Sequence, residues 1–206
     1  MYLDEELFID FLSEKEILWL GINFGKSKLT KSGFSISQEE MHRLFHEWNQ
    51  LILTDQKKYD IRMSFRKPVM QYNLSAITKI NRSQKLGNVL TKRIDIKDVL
   101  DEEQIVEYVS GIEFPGNCEY ALTFIVESFD SATKTASIWV VILKSDTKKV
   151  ALCEKFLKVP SGFGTRNYWA RTFYNVFYDV QTSAFLRWSN MVADRMNGGE
   201  ENSESA

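Results

Sequence analysis

Apolar and polar positions follow different periods along the chain, and each period selects a backbone state. Leu3, Leu7, Phe8, Phe11 and Leu12 recur at helical spacing and predict a short amphipathic helix over about 4–14. The run ILWLGINF over 17–24 is apolar throughout, as in a strand buried on both faces, and 26–33 is a polar loop. Ser37 followed by Glu40 is a capping-box pattern that opens a helix over 38–53. Met41, Leu44, Phe45, Trp48, Leu51 and Ile52 form its core stripe. Residues 60–65 alternate, with Ile61, Met63 and Phe65 on one face, and predict a half-exposed strand that Pro68 ends. A short helix fits 73–83, no clear period marks 84–100, and Asp101 caps a helix that Gly111 stops.

Three runs, 119–129, 136–144 and 149–158, are separated by turn-forming segments and predict an antiparallel meander. The middle run, ASIWVVILK, is apolar on both faces and should be central. Pro160 and Gly162 then release a long helix over 166–196, with Trp169, Phe173, Val176, Phe177, Val180, Ala184, Trp188 and Met191 on one stripe. Tyr174, Tyr178 and Phe185 widen that stripe, which predicts packing against two elements or against a partner. The expected fold is α+β: a mixed, largely antiparallel four- or five-stranded sheet with helices on both faces and a long C-terminal helix. A parallel β–α–β unit (17–24, 38–53, 60–65) should join the meander. One domain spans 1–196, and the acidic stretch NGGEENSESA over 197–206 reads as a disordered tail.

Composition narrows the class. With 206 residues, 44% apolar and 26% charged, the chain is neither disordered, fibrous nor membrane-spanning. No run approaches the roughly 20 apolar residues of a transmembrane helix. The first charges are Asp4, Glu5 and Glu6, not the basic start of a secretory signal. The compartment therefore reads as cytoplasmic from this N-terminus, or exported (periplasm or cell envelope) if a signal peptide was removed. Cys118 and Cys153 read as unpaired thiols in or beside strands, and a disulfide between them would require export.

The net charge of −2 hides a segregation. Residues 57–93 hold ten basic side chains and one acid, Asp60, whereas 1–16 hold six acids and Lys15, and 95–113 hold seven acids and Lys97. Either the basic segment faces a polyanion, or the acidic blocks fold back and pair with it; near-neutrality favours pairing. Arg62, Arg66 and Lys67 are the candidate anion contacts in that segment. Gly162, Gly164, Thr165 and Arg166, ahead of the long helix, form a second candidate, against a plain connection in which Thr165 caps the helix.

Catalytic chemistry is poorly served. Gly21 and Gly25-Lys26-Ser27 follow a strand, but one residue too few separates the glycines for a phosphate-cradling P-loop. His42 and His46 share a helix face without the HExxH pattern, and that face lies opposite the core stripe, so both should be solvated and far from a pocket. Asp95 with Asp98, and Asp101 with Glu103, read as surface or cap carboxylates. Asn73 and Asn81 sit in chance glycosylation sequons. No catalytic residue, metal site or cofactor is expected.

The run WLGINF (Trp19 to Phe24) and the run GFGTRNYWA (Gly162 to Ala170) stand at the two ends of a recurring pattern. With Trp48-Asn49 and Lys58-Tyr59-Asp60 between them, it resembles a family of uncharacterised Bacteroidetes-type bacterial proteins. The resemblance covers about 17–180 and implies no activity and no catalytic residues. Many members are exported, a feature this N-terminus does not carry. The function expected is non-catalytic binding of another macromolecule, a protein partner or a second copy, with Tyr174, Tyr178 and Phe185 at the interface. Nucleic acid or anionic lipid on the basic segment is the alternative, and an enzyme of unidentified type is the second alternative.

Overall fold

A computed structural model describes residues 1–200, with side chains through 193, so the end of the acidic tail expected over 197–206 lies outside the described residues. The elements are β1 (Tyr2–Leu3), α1 (Glu5–Ser13), β2 (Glu16–Asn23), β3 (Lys28–Thr30), α2 (Gln38–Thr54) and α3 (Ile61–Phe65). There follow β4 (Val69–Tyr72), α4 (Ser75–Ser83), α5 (Leu86–Val89), β5 (Leu90–Thr91) and α6 (Glu102–Ser110). Then come β6 (Tyr120–Asp130), β7 (Thr135–Lys144), β8 (Val150–Lys158), α7 (Thr165–Asp179) and α8 (Phe185–Glu200). A single π turn, Val180–Ala184, joins α7 to α8.

The fold is α+β around a mixed eight-stranded sheet, ordered β1-β8-β7-β6-β2-β4, with β3 and β5 continuing the sheet beside the far end of β6. The meander β6–β7–β8 is antiparallel, with β7 central and buried along its length, as its composition requires. Two expectations change. The sheet has more strands than four or five, because β1, β3 and β5 are only 2 or 3 residues long, too short to leave a period. It is also less antiparallel, since β2 runs parallel to both β4 and β6.

Residues 61–65 are helical, not extended. Asp60 Oδ1 accepts a hydrogen bond from Met63 N, and Arg66 ends the turn in the left-handed conformation at φ 51°. Ile61, Ser64 and Phe65 are buried while Met63 is exposed, which is helical spacing. The strand parallel to β2 is instead Val69–Tyr72, just beyond Pro68. The β–α–β arrangement thus exists, displaced by a few residues.

Both faces of the sheet are covered. Over one, α1, α2, α7 and α8 bring Phe8, Phe11, Phe45, Trp48, Phe173 and Trp188 against Trp19, Phe24, Phe124 and Phe129. Over the other, Ile77 of α4 and Ile105 and Val109 of α6 meet Leu18, Leu20, Ile125 and Trp139. Gly21 lies where the β2–β6 register slips, at φ +115°. That bulge reverses the alternation, so Ile22 and Phe24 join Trp19 on the first face instead of opposing it. A second slip at Glu127 does the same in β6 for Phe129.

Candidate functional site

The basic segment is not neutralised by the acidic blocks. Of its ten cations nine are exposed, and the ion pairs recorded for them among the described residues are Arg62–Asp60 at 3.8 Å and Arg93–Asp95 at 2.7 Å. Among the described residues the pairing expectation is met at Arg93–Asp95 alone, and several acids of the two blocks serve as caps. Asp4 caps α1, Asp101 caps α6, and Asp95 and Asp98 form a reciprocal cap around one 3₁₀ turn.

Arg62 and Arg66 line an open groove of about 650 Å³ with Asp60, Met63, Lys67, Pro68 and Gln181. The short α3 puts the two arginines one turn apart, and the π turn carries Gln181 opposite them. The Arg66 guanidinium stands over the Phe185 ring at 4.9 Å. Met63 is 60% exposed at the mouth. Lys67, placed by the sequence among the anion contacts, serves the fold instead. It is 1% exposed and donates to the carbonyls of Phe11 and Leu12 and, at 2.7 Å, of Glu14, capping the C-terminal end of α1. Burial lowers its pKa to about 8.

The three residues expected at an interface separate. Phe185 is core, 3% exposed beneath Arg66 and beside Trp188. Tyr174 is half-buried, edge-on to Tyr59 and flanked by the cations of Arg171 (4.2 Å) and Lys58 (5.8 Å). Tyr178 is 54% exposed and stacks on Tyr174 at 6.3 Å. Tyr178 therefore stands on the surface one turn before Gln181, on the same helix as the groove.

The second candidate anion loop offers less. Gly162 (φ +116°) and Gly164 (φ +75°) take conformations that favour glycine, and Gly164, not Thr165, is the N-cap of α7, without a side-chain cap. Arg166 is already paired with Glu47 at 3.1 Å, and its carbonyl accepts from Trp48 Nε1. Phe163 between the two glycines is almost wholly exposed.

Gly21 and Gly25 serve packing, not phosphate. A Cβ at Gly21 would lie 2.5 Å from Asn49 Oδ1, and one at Gly25 would lie 2.1 Å from the Tyr108 hydroxyl. The close approach of Asn49 matters because β4 pairs with β2 only over 16–19, leaving the next stretch of β2 without a strand partner on that side. Asn49 Oδ1 accepts from Ile22 N and Asn81 Oδ1 from Phe24 N, while both amide nitrogens donate to Ile22 O. Two side-chain amides thus replace a missing strand, and the Asn81 amide is buried and occupied, which removes it as a glycosylation acceptor.

His42 and His46 are not remote from a cavity. They line a 220 Å³ crevice between α2 and α4 with Arg43, Phe45, Asn49, Leu74, Thr78, Asn81 and Arg82. A wheel drawn for one helix could not reveal this, because α4 supplies the opposite wall. A third, acidic cleft of about 520 Å³ gathers Glu14, Glu16, Glu113, Glu119 and Asp146 around Cys118. Burial and the neighbouring Glu16 carboxylate raise the Cys118 pKa, which suppresses its thiolate. Both cysteines are free and buried. Among the described residues no group of three His, Cys, Asp or Glu is gathered as a metal ion would require, and no helix is long and apolar enough to cross a membrane. Compared with protein-family models and with curated proteins, the chain finds no match.

Proposed function

We propose that the chain is a non-catalytic binding domain and that the groove beside α3 receives an acidic segment of a protein partner. The observation that carries this reading is the pairing of exposed Arg62 and Arg66 with exposed Met63 in one open groove whose sole lining carboxylate is Asp60. Two guanidiniums one turn apart suit bidentate capture of carboxylates, and a flexible thioether between them suits an aliphatic or aromatic neighbour. Tyr178 extends the same surface with an amphipathic ring of the kind enriched at protein interfaces. A long phosphate backbone fits less well, because the chain as a whole carries a net charge of −2 and no basic excess. The family resemblance adds no activity to this reading.

Selection of random short peptides on the wild-type domain, with counter-selection on the Arg62→Glu, Arg66→Glu double variant, tests it. Enriched peptides should place Asp or Glu next to an apolar residue, and should bind the double variant at least about tenfold more weakly, with affinity falling as salt rises. Enrichment without acids, or equal binding to the double variant, would defeat the proposal. Salt-dependent binding of duplex DNA or anionic vesicles, lost in the same variant, would replace the protein partner with a polyanion.

A further inference from the structure

The α2–α4 crevice has the position and lining of a small-anion site, and it is independent of the groove beside α3. β2 and β4 are parallel neighbours. The chain leaves β2 by way of β3 for α2 on one face of the sheet, and leaves β4 for α4 on the other. Where adjacent parallel strands send their helices to opposite faces, a crevice opens beyond their carboxyl ends, and ligands of open α/β sheets bind there. In this protein the crevice is deepened because β4 stops opposite Trp19 and does not fill the space beside Ile22.

Its floor is neutral and engaged: the Asn49 and Asn81 amides bond the backbone at Ile22 and Phe24, and Asn49 Nδ2 also donates to Phe45 O. Phe45 and Leu74 supply apolar walls. The rim carries His42, Arg43, His46 and Arg82, and no carboxylate lines it. Arg43 shares its charge with Glu47 at 3.2 Å, and His42 Nε2 either donates to the Gln84 carbonyl or accepts from the Gln38 amide, according to its tautomer. Among the described residues the side chains of His46, Arg82 and Thr78 have no hydrogen-bond or ion-pair partner, although all three face one cavity. At 220 Å³ the space holds about seven waters at roughly 30 Å³ each, which is small beside the usual ligand pocket and excludes a dinucleotide.

We propose that this crevice binds a small phosphate monoester, its phosphoryl oxygens on Arg82, His46 and the Thr78 hydroxyl and its carbon skeleton against Phe45 and Leu74. Arg82 supplies the planar fork that matches a phosphate, and the hydroxyl supplies a neutral donor.

Calorimetric titration with inorganic phosphate, glycerol 3-phosphate and glycerol separates the contributions. Saturable binding is expected at millimolar concentration or tighter for glycerol 3-phosphate, weaker binding for inorganic phosphate, and none for glycerol. The Arg82→Gln, His46→Gln double variant changes two exposed side chains, so it should keep its thermal midpoint and lose at least about tenfold in affinity, the worth of one charge-assisted hydrogen bond. The Arg62→Glu, Arg66→Glu variant should bind glycerol 3-phosphate like wild type, which separates this site from the peptide groove. The proposal falls if the wild type binds neither phosphate compound, if the Arg82, His46 double variant binds both unchanged, or if the α3 variant abolishes binding. Inorganic phosphate binding as tightly as the ester would remove the carbon skeleton from the proposal and reduce the site to one for the bare anion.

Discussion

The basic segment reaches the surface on the two sides of β4, and the two places treat charge differently. Before β4, most cations around α3 already serve the fold: Lys67 caps α1, Arg66 covers Phe185, and Arg62 approaches Asp60. After β4, Arg82 stands over a crevice with no acid among its lining residues and, among the described residues, has no protein partner of its own; His46 of α2 faces it across the same crevice. Sequence charge is equal currency in both places, but only the second leaves it largely unspent. The groove keeps Arg62 and Arg66 accessible at its mouth; the crevice keeps Arg82 and His46 accessible at the rim of a smaller open volume.

The comparison breaks most sharply at the crevice floor. Asn49→Ala strands Ile22 N and part of the demand of Ile22 O in a buried setting, and should cost about 3 kcal/mol, read as a lower denaturation midpoint. A loss under about 1 kcal/mol would mean that water or a shifted β4 replaces the amide. Gly21→Ala should cost a similar amount, because it forces a side chain into the left-handed region and onto Asn49 Oδ1.

Alkaline pH sharpens the other side. Lys67 has a folded pKa near 8 against 10.5 for an ordinary lysine, so between those values the unfolded chain holds a proton that the folded chain does not. Stability from this group therefore rises with pH across that window, on the order of 2 kcal/mol, and Lys67→Met should abolish the rise. Tyr59 and Cys153 act with the opposite sign. Burial pushes them up to about 12 and about 11, so the stability they contribute is present below their ordinary values and is lost as pH climbs through the raised ones. Chemical denaturation of wild type, Lys67→Met and Tyr59→Phe over this range separates the two slopes. A wild type and Lys67→Met that stay parallel would show Lys67 charged throughout.

The smallest effects divide the aromatic ledge. Tyr174→Ala should cost about 1–2 kcal/mol, since its ring packs on Tyr59 and the core, whereas Tyr178→Ala should stay within about 0.5 kcal/mol and act only on peptide binding. Equal destabilisation by both would make Tyr178 a packing residue and withdraw it from the docking surface.

Much of the fold was legible where one element's pattern sufficed. The Ser37–Glu40 cap, the Asp101 cap and the β6–β7–β8 meander depend on neighbours in sequence and appear where the periods put them, and the stripe of the last helix holds through Trp188; beyond the π turn the register slips by one, so Val192 is buried and Met191 is 40% exposed. Residues 60–65 misled because a five-residue helix and a strand can bury the same two apolar positions; the capping Asp60 was the discriminating signal. The candidate sites were legible only in part. Arg62 and Arg66 were found as charge, and the histidines as a spacing, but a cavity needs two walls.

By itself the sequence determined the longer helices, the central strands, the segregation of charge and the scarcity of histidine and cysteine, since each is written in local period or composition. Tertiary structure alone decided which cations stay accessible, which aromatic rings are core, and that Asn49 and Asn81 replace a strand beside β2. Those outcomes depend on pairings across tens of residues, 27 between Asn49 and Ile22 and 53 between Lys67 and Glu14, and no local period encodes a contact at that range.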